Sequence, residues 1–461
     1  MTYASDGLAY GLPSHAIRAL GVLEDAGFES WVVGGWVRDA LLGAPSHDVD
    51  VTSAAHWKEA RDAFQAAGIV VHETGTAHGT ITAIIDDQPV EVTTFRVEGS
   101  YSDHRHPDEV RFVRDVREDL SRRDFTVNAM AYHPVRGLLD PFGGKEDLHA
   151  GVIRAVGDPD ARFAEDALRV LRAVRFAARM GFTVEQRTHD ALVKAAPGLV
   201  DIAQERIGQE MDGIVGSGKA GWALLEETEV MSAAIPELGA MVGFDQCTPF
   251  HAYDVLEHTA HVCRACEEFT AGKAAHALRW AALLHDIAKP FTFTVDSNKR
   301  GHFYGHPKVG AEMAETIMRR LSMPKELTAR VRALIRLHDH RMHPTARSAR
   351  RTLLKLEQAC PGSAEPLAFQ LLDLKRADAV SKVWKYADYA IEVDELTRVI
   401  RREIHRKVPL RVTDLAINGQ DVIDAMGIKP GPGVGAVLHE LLVAVANAEV
   451  ENDREALLSQ L

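Results

Sequence analysis

The sequence predicts an α+β fold: a mixed sheet with helices in the N-terminal part, followed by an extended all-α chain. Three observations carry this. A short strand, a Gly-Gly break and a helix follow one another between Trp31 and Gly43. Alternating stretches rich in β-branched residues recur as far as Phe95, which is strand patterning. Beyond Asp160 the apolar residues recur at helical spacing. At 461 residues the chain is long for one domain. Four segments are expected, 20–150, 151–245, 246–380 and 381–461.

Composition narrows the function classes. The hydrophobic fraction of 46% is ordinary for a globular protein. No apolar run reaches membrane-spanning length, so no membrane role is expected. The opening MTYASDGLAYGLPS lacks the basic start and apolar core of a signal peptide. Four cysteines argue against a disulfide scaffold. Cys263 and Cys266 lie in a helical stretch with no second pair, so they read as packing rather than zinc ligands. These features point to the cytoplasm. A net charge of −13 does not announce a nucleic-acid binder, so RNA contact would need local basic patches.

In chain order, residues 14–28 read as a helix packed on the first strand. Trp31-Val32-Val33 suits a buried strand. Gly34-Gly35 breaks it, and WVRDALLG has helical spacing. Such a turn offers free N–H groups to a phosphate. His47-Asp48-Val49-Asp50-Val51 reads as the next strand, with Asp48 and Asp50 on one face. Two adjacent carboxylates repel each other unless a cation sits between them; Mg²⁺ prefers carboxylates plus substrate phosphates. A helix over HWKEARDAFQAAG, a strand over IVVHETG and another over Thr76–Ile85 follow. Val90–Phe95 alternates as a further strand, and its Glu91 is the candidate third carboxylate. It would hold metal or orient a hydroxyl as a base. Arg96–Pro107 is polar and rich in Gly and His, and reads as a loop.

GG, then R-D, then D-x-D within Trp31–Ser53 resembles the nucleotidyltransferase head of the DNA polymerase β superfamily. The likeness is strongest to the bacterial tRNA CCA-adding and poly(A) polymerase group. Glu118-Asp119-Leu120-Ser121-Arg122-Arg123-Asp124-Phe125-Thr126-Val127-Asn128-Ala129 matches that family's ED-x-x-RRDFT-x-NA signature letter for letter. Two arginines beside a helix start can hold triphosphate oxygens bidentately, and the resemblance assigns Arg123 to nucleotide contact. It also implies triphosphate binding by Gly34, Gly35 and Arg38, and a loop at 96–107 of the kind needed to add a terminal A. Leu139–Gly144 closes the head with a turn.

Asp160–Arg179 reads as one amphipathic helix with Leu168, Leu171, Val174 and Ala178 as its apolar stripe. Asp166 and Arg169 are three apart and would be neighbours, with Arg172 and Arg175 continuing the row. An Asp accepts from the exocyclic amine that C and A carry, and an Arg donates to ring acceptors. An intrahelical ion pair is the plainer alternative. E-D-x-x-R followed by two further arginines resembles the templating neck of class II CCA-adding enzymes, which implies base selection by Asp166 and Arg169, with Arg172 and Arg175 meeting phosphate or base. Helices from 181 to 240 carry no catalytic constellation.

Further on come His258, His285-Asp286, His306, His338 and Asp378, each in or beside a helical stretch. His with carboxylate suits a divalent transition metal. The order resembles the HD phosphohydrolase superfamily. That resemblance makes His258, His285, Asp286 and Asp378 the basic ligand set, with His306 and His338 (or His340) as a second metal's ligands. Lys289 would contact phosphate. A basic stretch at Arg341, Arg347, Arg350, Arg351 and Lys355 precedes a long helix over 383–412, which ends in a second one at Arg398, Arg401, Arg402, Arg406 and Lys407. Gly427–Gly435 then opens a final helix.

The resemblance therefore implies addition of C, C and A to the 3′ end of tRNA from CTP and ATP, with Asp48 and Asp50 holding Mg²⁺. A second divalent metal, Mn, Ni, Co or Fe, is expected at the HD site. Rival readings are a poly(A) polymerase or A-only enzyme, and a metal phosphohydrolase whose head merely binds RNA. The sequence leaves monomer and homodimer both open.

Overall fold

The structure, a computed structural model, describes residues 8, 11–45, 48–99, 110–383 and 388–461. His47, most of the Gly- and His-rich loop, and Trp384–Ala387 lie outside the described residues. The chain forms two compact units, Met1–Ala203 and Gln204–Leu461.

The first unit is built on a mixed sheet. Helix α1 (Ser14–Asp25) leads to β1 (Ser30–Val33), α2 (Gly35–Leu41), β2 (Asp50–Ser53) and α3 (Trp57–Ala66). Strands β3 (Val70–Gly75), β4 (Thr80–Ile85), β5 (Gln88–Thr94), β6 (Arg96–Glu98) and β7 (Val110–Phe112) follow. Then come α4 (Val116–Ser121), β8 (Ala131–His133), β9 (Gly137–Leu139) and α5 (Gly144–Ala150). Among the described residues the main sheet has seven strands in the order β3-β4-β5-β2-β1-β8-β9. Its one parallel pairing, β2 with β5, sets Asp50 opposite Glu91. The other pairs are antiparallel.

Why these segments form is plain from their burial. All four residues of β1 are buried, as a central strand requires. In α1 the buried residues are Ala16, Ala19, Leu20 and Leu23, the i, i+3, i+4, i+7 face that packs on a sheet. Both α1 and α3 lie against β4 and β5. Trp31 and Val33 pack with Phe95, Val116, Leu120 and Ala131 in one core cluster. Burying a residue such as Leu120 contributes about 1.5–3 kcal/mol. The short strands β8 and β9 are absent from the sequence expectation. At three residues each they are too brief to show alternation.

The predicted helix over Asp160–Arg179 is two helices, α6 (Pro159–Glu165) and α7 (Leu168–Met180). The break is Asp166, extended at φ −142° and ψ 104°. Its Oδ1 accepts from the Leu168 N–H at 3.0 Å, the local competition by which Asp interrupts a helix. The apolar stripe of α7 is buried as expected.

The second unit is helical. Helices Val255–Phe269, His276–Leu284, Lys325–Leu337 and Ala364–Val380 pack against one another. Trp280 is fully buried among them and donates to Asp212 at 2.9 Å. Toward the end of the chain, Leu354, Leu415, Val422, Leu438 and Leu442 form a separate core cluster. The expected long helix over 383–412 runs Tyr389–His405 and stops where Lys407 turns left-handed at φ 51°. After Gly427, Pro432 starts the helix Pro432–Ala446, and a shorter helix, Arg454–Leu458, comes after it.

The closing turn of the head is held by Asp140, whose carboxylate accepts from the N–H groups of Gly144 and Lys145, both at 2.8 Å. A Cβ on Gly144 would stand 2.1 Å from the Thr126 carbonyl oxygen. Gly144→Ala is expected to destabilise the protein by about 2 kcal/mol or more, since a packed backbone must shift. Urea unfolding checks this; an unchanged midpoint would contradict it.

Candidate functional site

The first site lies at the β1–α2 turn and the facing ends of β2 and β5. Asp48 and Asp50 are exposed while Val49 and Val51 are buried. The two carboxylates therefore share a side even though β2 begins only at Asp50. Desolvation raises the Asp50 pKa although its surface is open to solvent. Glu91 and Asp48 add to the rise and Arg123 opposes it. Asp50 thus feels the charge of both other predicted carboxylates. Gly34 adopts φ 74° and ψ −132°, where a side chain is strained. A Cβ there would meet Arg123 Nη1 at 3.2 Å and Asp50 Oδ2 at 3.9 Å. The absent side chain is what lets this arginine close on the acids.

Arg123 is aimed from behind by an anion. Asp119 is fully buried, lies 3.5 Å from Arg123 Nη2 and bonds Arg122 at 2.9 Å. Burial pushes the Asp119 pKa up, but Arg122 and then Arg123 outweigh it and hold it low. Arg123 Nε is buried with no hydrogen-bond partner. The two arginines follow the end of α4 rather than a helix start, a position that favours cations.

A second network ties this turn to α7. Arg38 is buried and donates to Asp39 at 2.8 Å and to Asn128 at 2.7 Å. Asn128 donates to Asp124 at 3.1 Å, and Arg172 donates to Asp124 Oδ2 at 2.8 Å. Arg38 is therefore a brace within this network. Arg169 is ion-paired with Glu165 and donates to the carbonyls of Arg162 and Arg122 at 3.0 and 3.2 Å. The sequence reading placed it beside Asp166 on one helix face; the helix break separates them into a turn and a helix. Arg175 lies 4.4 Å from the Phe176 ring centroid. Asp119, Asp124 and Asn128 received no role from the sequence, although they stand in the same signature as Arg123.

The second unit gathers the six predicted His and Asp residues. His258, His285 and Asp378 form one trio of ligand-type atoms, and Asp286, His306 and His338 another. His258 Nε2 is 3.1 Å from Asp378 and 3.6 Å from Asp286. His306 Nε2 and His338 Nε2 face each other at 3.3 Å. His285 Nε2 and Asp286 Oδ2 are 3.1 Å apart, yet neither makes a hydrogen bond of good geometry. Asp286 Oδ2 lies 2.7 Å from the Lys289 ammonium instead, and His285 Nε2 is left without a hydrogen-bond partner. Burial pushes the Asp286 pKa up, and His285 and Lys289 overcome this and hold it well below the carboxylate range. Lys289 Nζ sits 2.7 Å from Asp286 and 2.8 Å from Gln246, so it is a partner of the ligand carboxylate. His340 is in neither trio.

Several residues here escaped the sequence reading. Lys382 pairs with Asp378 at 2.6 Å. Lys375 is buried and donates to the carbonyls of His338 and His340, both at 2.6 Å. His251 stacks edge-on against His258 with centroids 4.8 Å apart. Burial, then Lys289, His258 and Lys382, push its pKa down to about 2, so the ring is neutral. Cys263 and Cys266 are buried thiols, as expected of packing residues.

Comparison with known proteins places the whole chain. The poly(A) polymerase head domain matches residues 30–154. The probable RNA- and SrmB-binding site of polymerase A matches 181–241, and a putative tRNA nucleotidyltransferase domain 2 matches 306–461. A CCA-adding enzyme of Leuconostoc mesenteroides is 33% identical over 449 residues, covering 97% of this chain and 96% of its own. One from Geobacillus thermodenitrificans is 33% identical over 453 residues, covering 96% of each. The crystal structure of the Bacillus stearothermophilus CCA-adding enzyme in complex with CTP aligns with a TM-score of 0.68. It is 29% identical and covers 97% of this chain and 95% of that one.

The Asp124 network has a pH signature. Burial alone would raise the Asp124 pKa, but Arg172 and Asn128 hold it at about 2, below the ordinary 3.8. A depressed carboxylate contributes stability that is full above its unfolded pKa and is lost as pH falls through its folded one. Asp124→Asn should therefore cost about 2 kcal/mol at neutral pH. The gap from wild type should shrink as pH falls from about 4 toward 2. Urea unfolding of both proteins at neutral pH and near pH 3 checks this; a constant gap would contradict it.

Proposed function

The chain belongs to the CCA-adding enzyme family, and from that premise we propose that its head adds C, C and A to the 3′ end of tRNA from CTP and ATP. It is a nucleotidyltransferase. The observation that carries the site assignment is the Asp50–Glu91 pairing with Asp48 and Arg123 beside it. The candidate metal-holding groups there are carboxylates, Asp48, Asp50 and Glu91, and their like charges suit a hard divalent cation such as Mg²⁺. Asp48 and Asp50 would hold it. When bound, it would polarise the phosphoryl oxygens and favour in-line displacement.

The chain's own groups do the rest. Gly34 and Gly35 admit the triphosphate close to backbone. Arg123, with a buried Nε left over, meets its oxygens. Arg38 keeps the turn in place through Asn128. Glu91, exposed beside Asp50, orients the tRNA 3′ hydroxyl for attack on the α-phosphorus, and pyrophosphate leaves. Asp166 reads the exocyclic amine of C and A from its position at the helix break, with Arg169, Arg172 and Arg175 around it. The basic clusters on the helices Ala346–Ala359 and Tyr389–His405 supply positive surface for tRNA. No helix among the described residues is long and apolar enough to cross a membrane, and the four free cysteines suit the reducing cytoplasm. Product sequence separates this reading from a poly(A) or A-only enzyme.

A second reading concerns the other unit, and the two ligand trios favour it. Mixed imidazole and carboxylate donors fit Mn, Ni, Co or Fe, and the buried His285 Nε2 without a hydrogen-bond partner fits the same. We read the cluster as an HD-type phosphohydrolase site acting on phosphomonoesters or 2′,3′-cyclic phosphodiesters, such as damaged tRNA ends. Substitution separates the two activities. Using tRNA that stops at its discriminator base, with CTP and ATP, wild type should yield CCA by product sequencing. Asp50→Ala should lose at least about a hundredfold in that addition, and Asp286→Ala should stay within about twofold while losing metal and hydrolysis. Near-normal CCA synthesis by Asp50→Ala would overturn the head assignment. Metal and hydrolysis absent from wild type would overturn the second reading.

A further inference from the structure

Residues 246–253 run as a strap across the His/Asp cluster, tied at each end. Lys289 Nζ donates to Gln246 Oε1 at 2.8 Å, and Gln246 Nε2 reaches the Tyr253 carbonyl at 3.3 Å. The Gly301 N–H bonds the Cys247 carbonyl at 2.8 Å, and the Val383 N–H bonds the Phe250 carbonyl at 2.9 Å. The Arg300 guanidinium stands 4.8 Å over the Phe250 ring. This strap delivers His251, whose ring meets that of His258 almost perpendicularly at 84°.

His251 differs from the six ligand-type residues around it. It belongs to neither trio. It is half-buried, whereas His258, His285, Asp286, His306 and His338 are buried. Its Nδ1 is buried and has no hydrogen-bond partner. An unsatisfied buried polar atom is costly, and a fold that ties a strap in four places could have placed an apolar side chain there. Lys289, Lys382 and Asp286 are its charged neighbours. The two cations are each paired with a carboxylate, Lys289 with Asp286 at 2.7 Å and Lys382 with Asp378 at 2.6 Å.

We propose that His251 is a phosphate-contacting residue of this cluster, its Nδ1–H donating to a non-bridging oxygen of a bound phosphomonoester or 2′,3′-cyclic phosphodiester. This rests on reading the cluster as a phosphohydrolase site. Hydrolysis of the cyclic ester forms one P–O bond to the oxygen of water and breaks one ring P–O bond. One water proton stays on the new phosphate oxygen or passes to solvent, and the other goes to the released ribose oxygen. Charge on the non-bridging oxygens must be held throughout, and an imidazole N–H supplies a hydrogen bond to one of them.

The test uses the full chain as wild type, His251→Ala and His251→Asn, loaded with Mn²⁺, Ni²⁺ or Co²⁺ singly. Metal content, turnover of 2′,3′-cyclic AMP, calorimetric affinity for inorganic phosphate and CCA addition are measured on each. The Ala variant should keep its metal and its CCA addition. It should lose about ten- to a hundredfold in kcat/KM and in phosphate affinity, the worth of a hydrogen bond to a charged group. Asn should restore part of both. Unchanged turnover and phosphate affinity in the Ala variant, beside an active wild type, would overturn this proposal and leave the phosphohydrolase reading standing. Loss of metal in both variants would make His251 structural and overturn it too. A wild type that neither holds metal nor turns over the ester would sink the phosphohydrolase reading, and this proposal with it.

Discussion

The head depends on the cost of bringing three carboxylates together. Parallel pairing of β2 with β5 puts Asp50 opposite Glu91, and Asp48 adds a third like charge. Opposite charge must be built in nearby, and the chain does this in layers. Gly34 leaves room for the Arg123 guanidinium. Asp119, buried behind it, is shared by Arg122 and Arg123 and so fixes where the positive charge points. In the proposed reaction a divalent cation, held by Asp48 and Asp50, and a triphosphate would complete the balance of charge.

The same logic extends to α7, the helix proposed to carry base selection. Arg38 on α2 and Arg172 on α7 reach each other through Asn128 and Asp124. Phe176 sits between them, with Arg38, Arg172 and Arg175 at 5.3, 5.4 and 4.4 Å from its ring, within the range of cation–π attraction. Its edge meets Phe125 at 5.9 Å. The β1–α2 turn and α7 are therefore joined by hydrogen-bonded charges and one aromatic ring. That gives a physical reason why the RRDFT-x-NA stretch holds both an arginine beside the head carboxylates and an aspartate bonded to α7.

Much of this was legible in the sequence because the signals are local. D-x-D alternation, the Gly-Gly break and the strands up to Thr94 need only neighbouring residues, and so do the helices of the second unit. The six His and Asp residues could be collected by their order along the chain, and the structure brings them together. What was not legible depends on partners far apart. Strands β8 and β9 exist because β1 offers an edge to Ala131 and Tyr132. The break at Asp166 turns on one side-chain bond in a stretch whose apolar spacing stays helical. Lys375, Lys382 and His251 acquire their partners only when the helix Ala364–Val380 and the 246–253 strap close on the cluster.

The central claim, that nucleotidyl transfer runs on the carboxylate group spanning β2 and β5, is tested most directly by Glu91→Gln. The substitution keeps the shape and removes one charge from an exposed side chain, so the thermal midpoint should not move. With Mg²⁺, CTP, ATP and tRNA lacking its CCA end, the rate of addition should fall by about 10²–10⁴, the worth of a positioned base or metal-holding carboxylate. A rate within about twofold of wild type would contradict the account, because a residue that orients the attacking hydroxyl cannot be neutralised so cheaply.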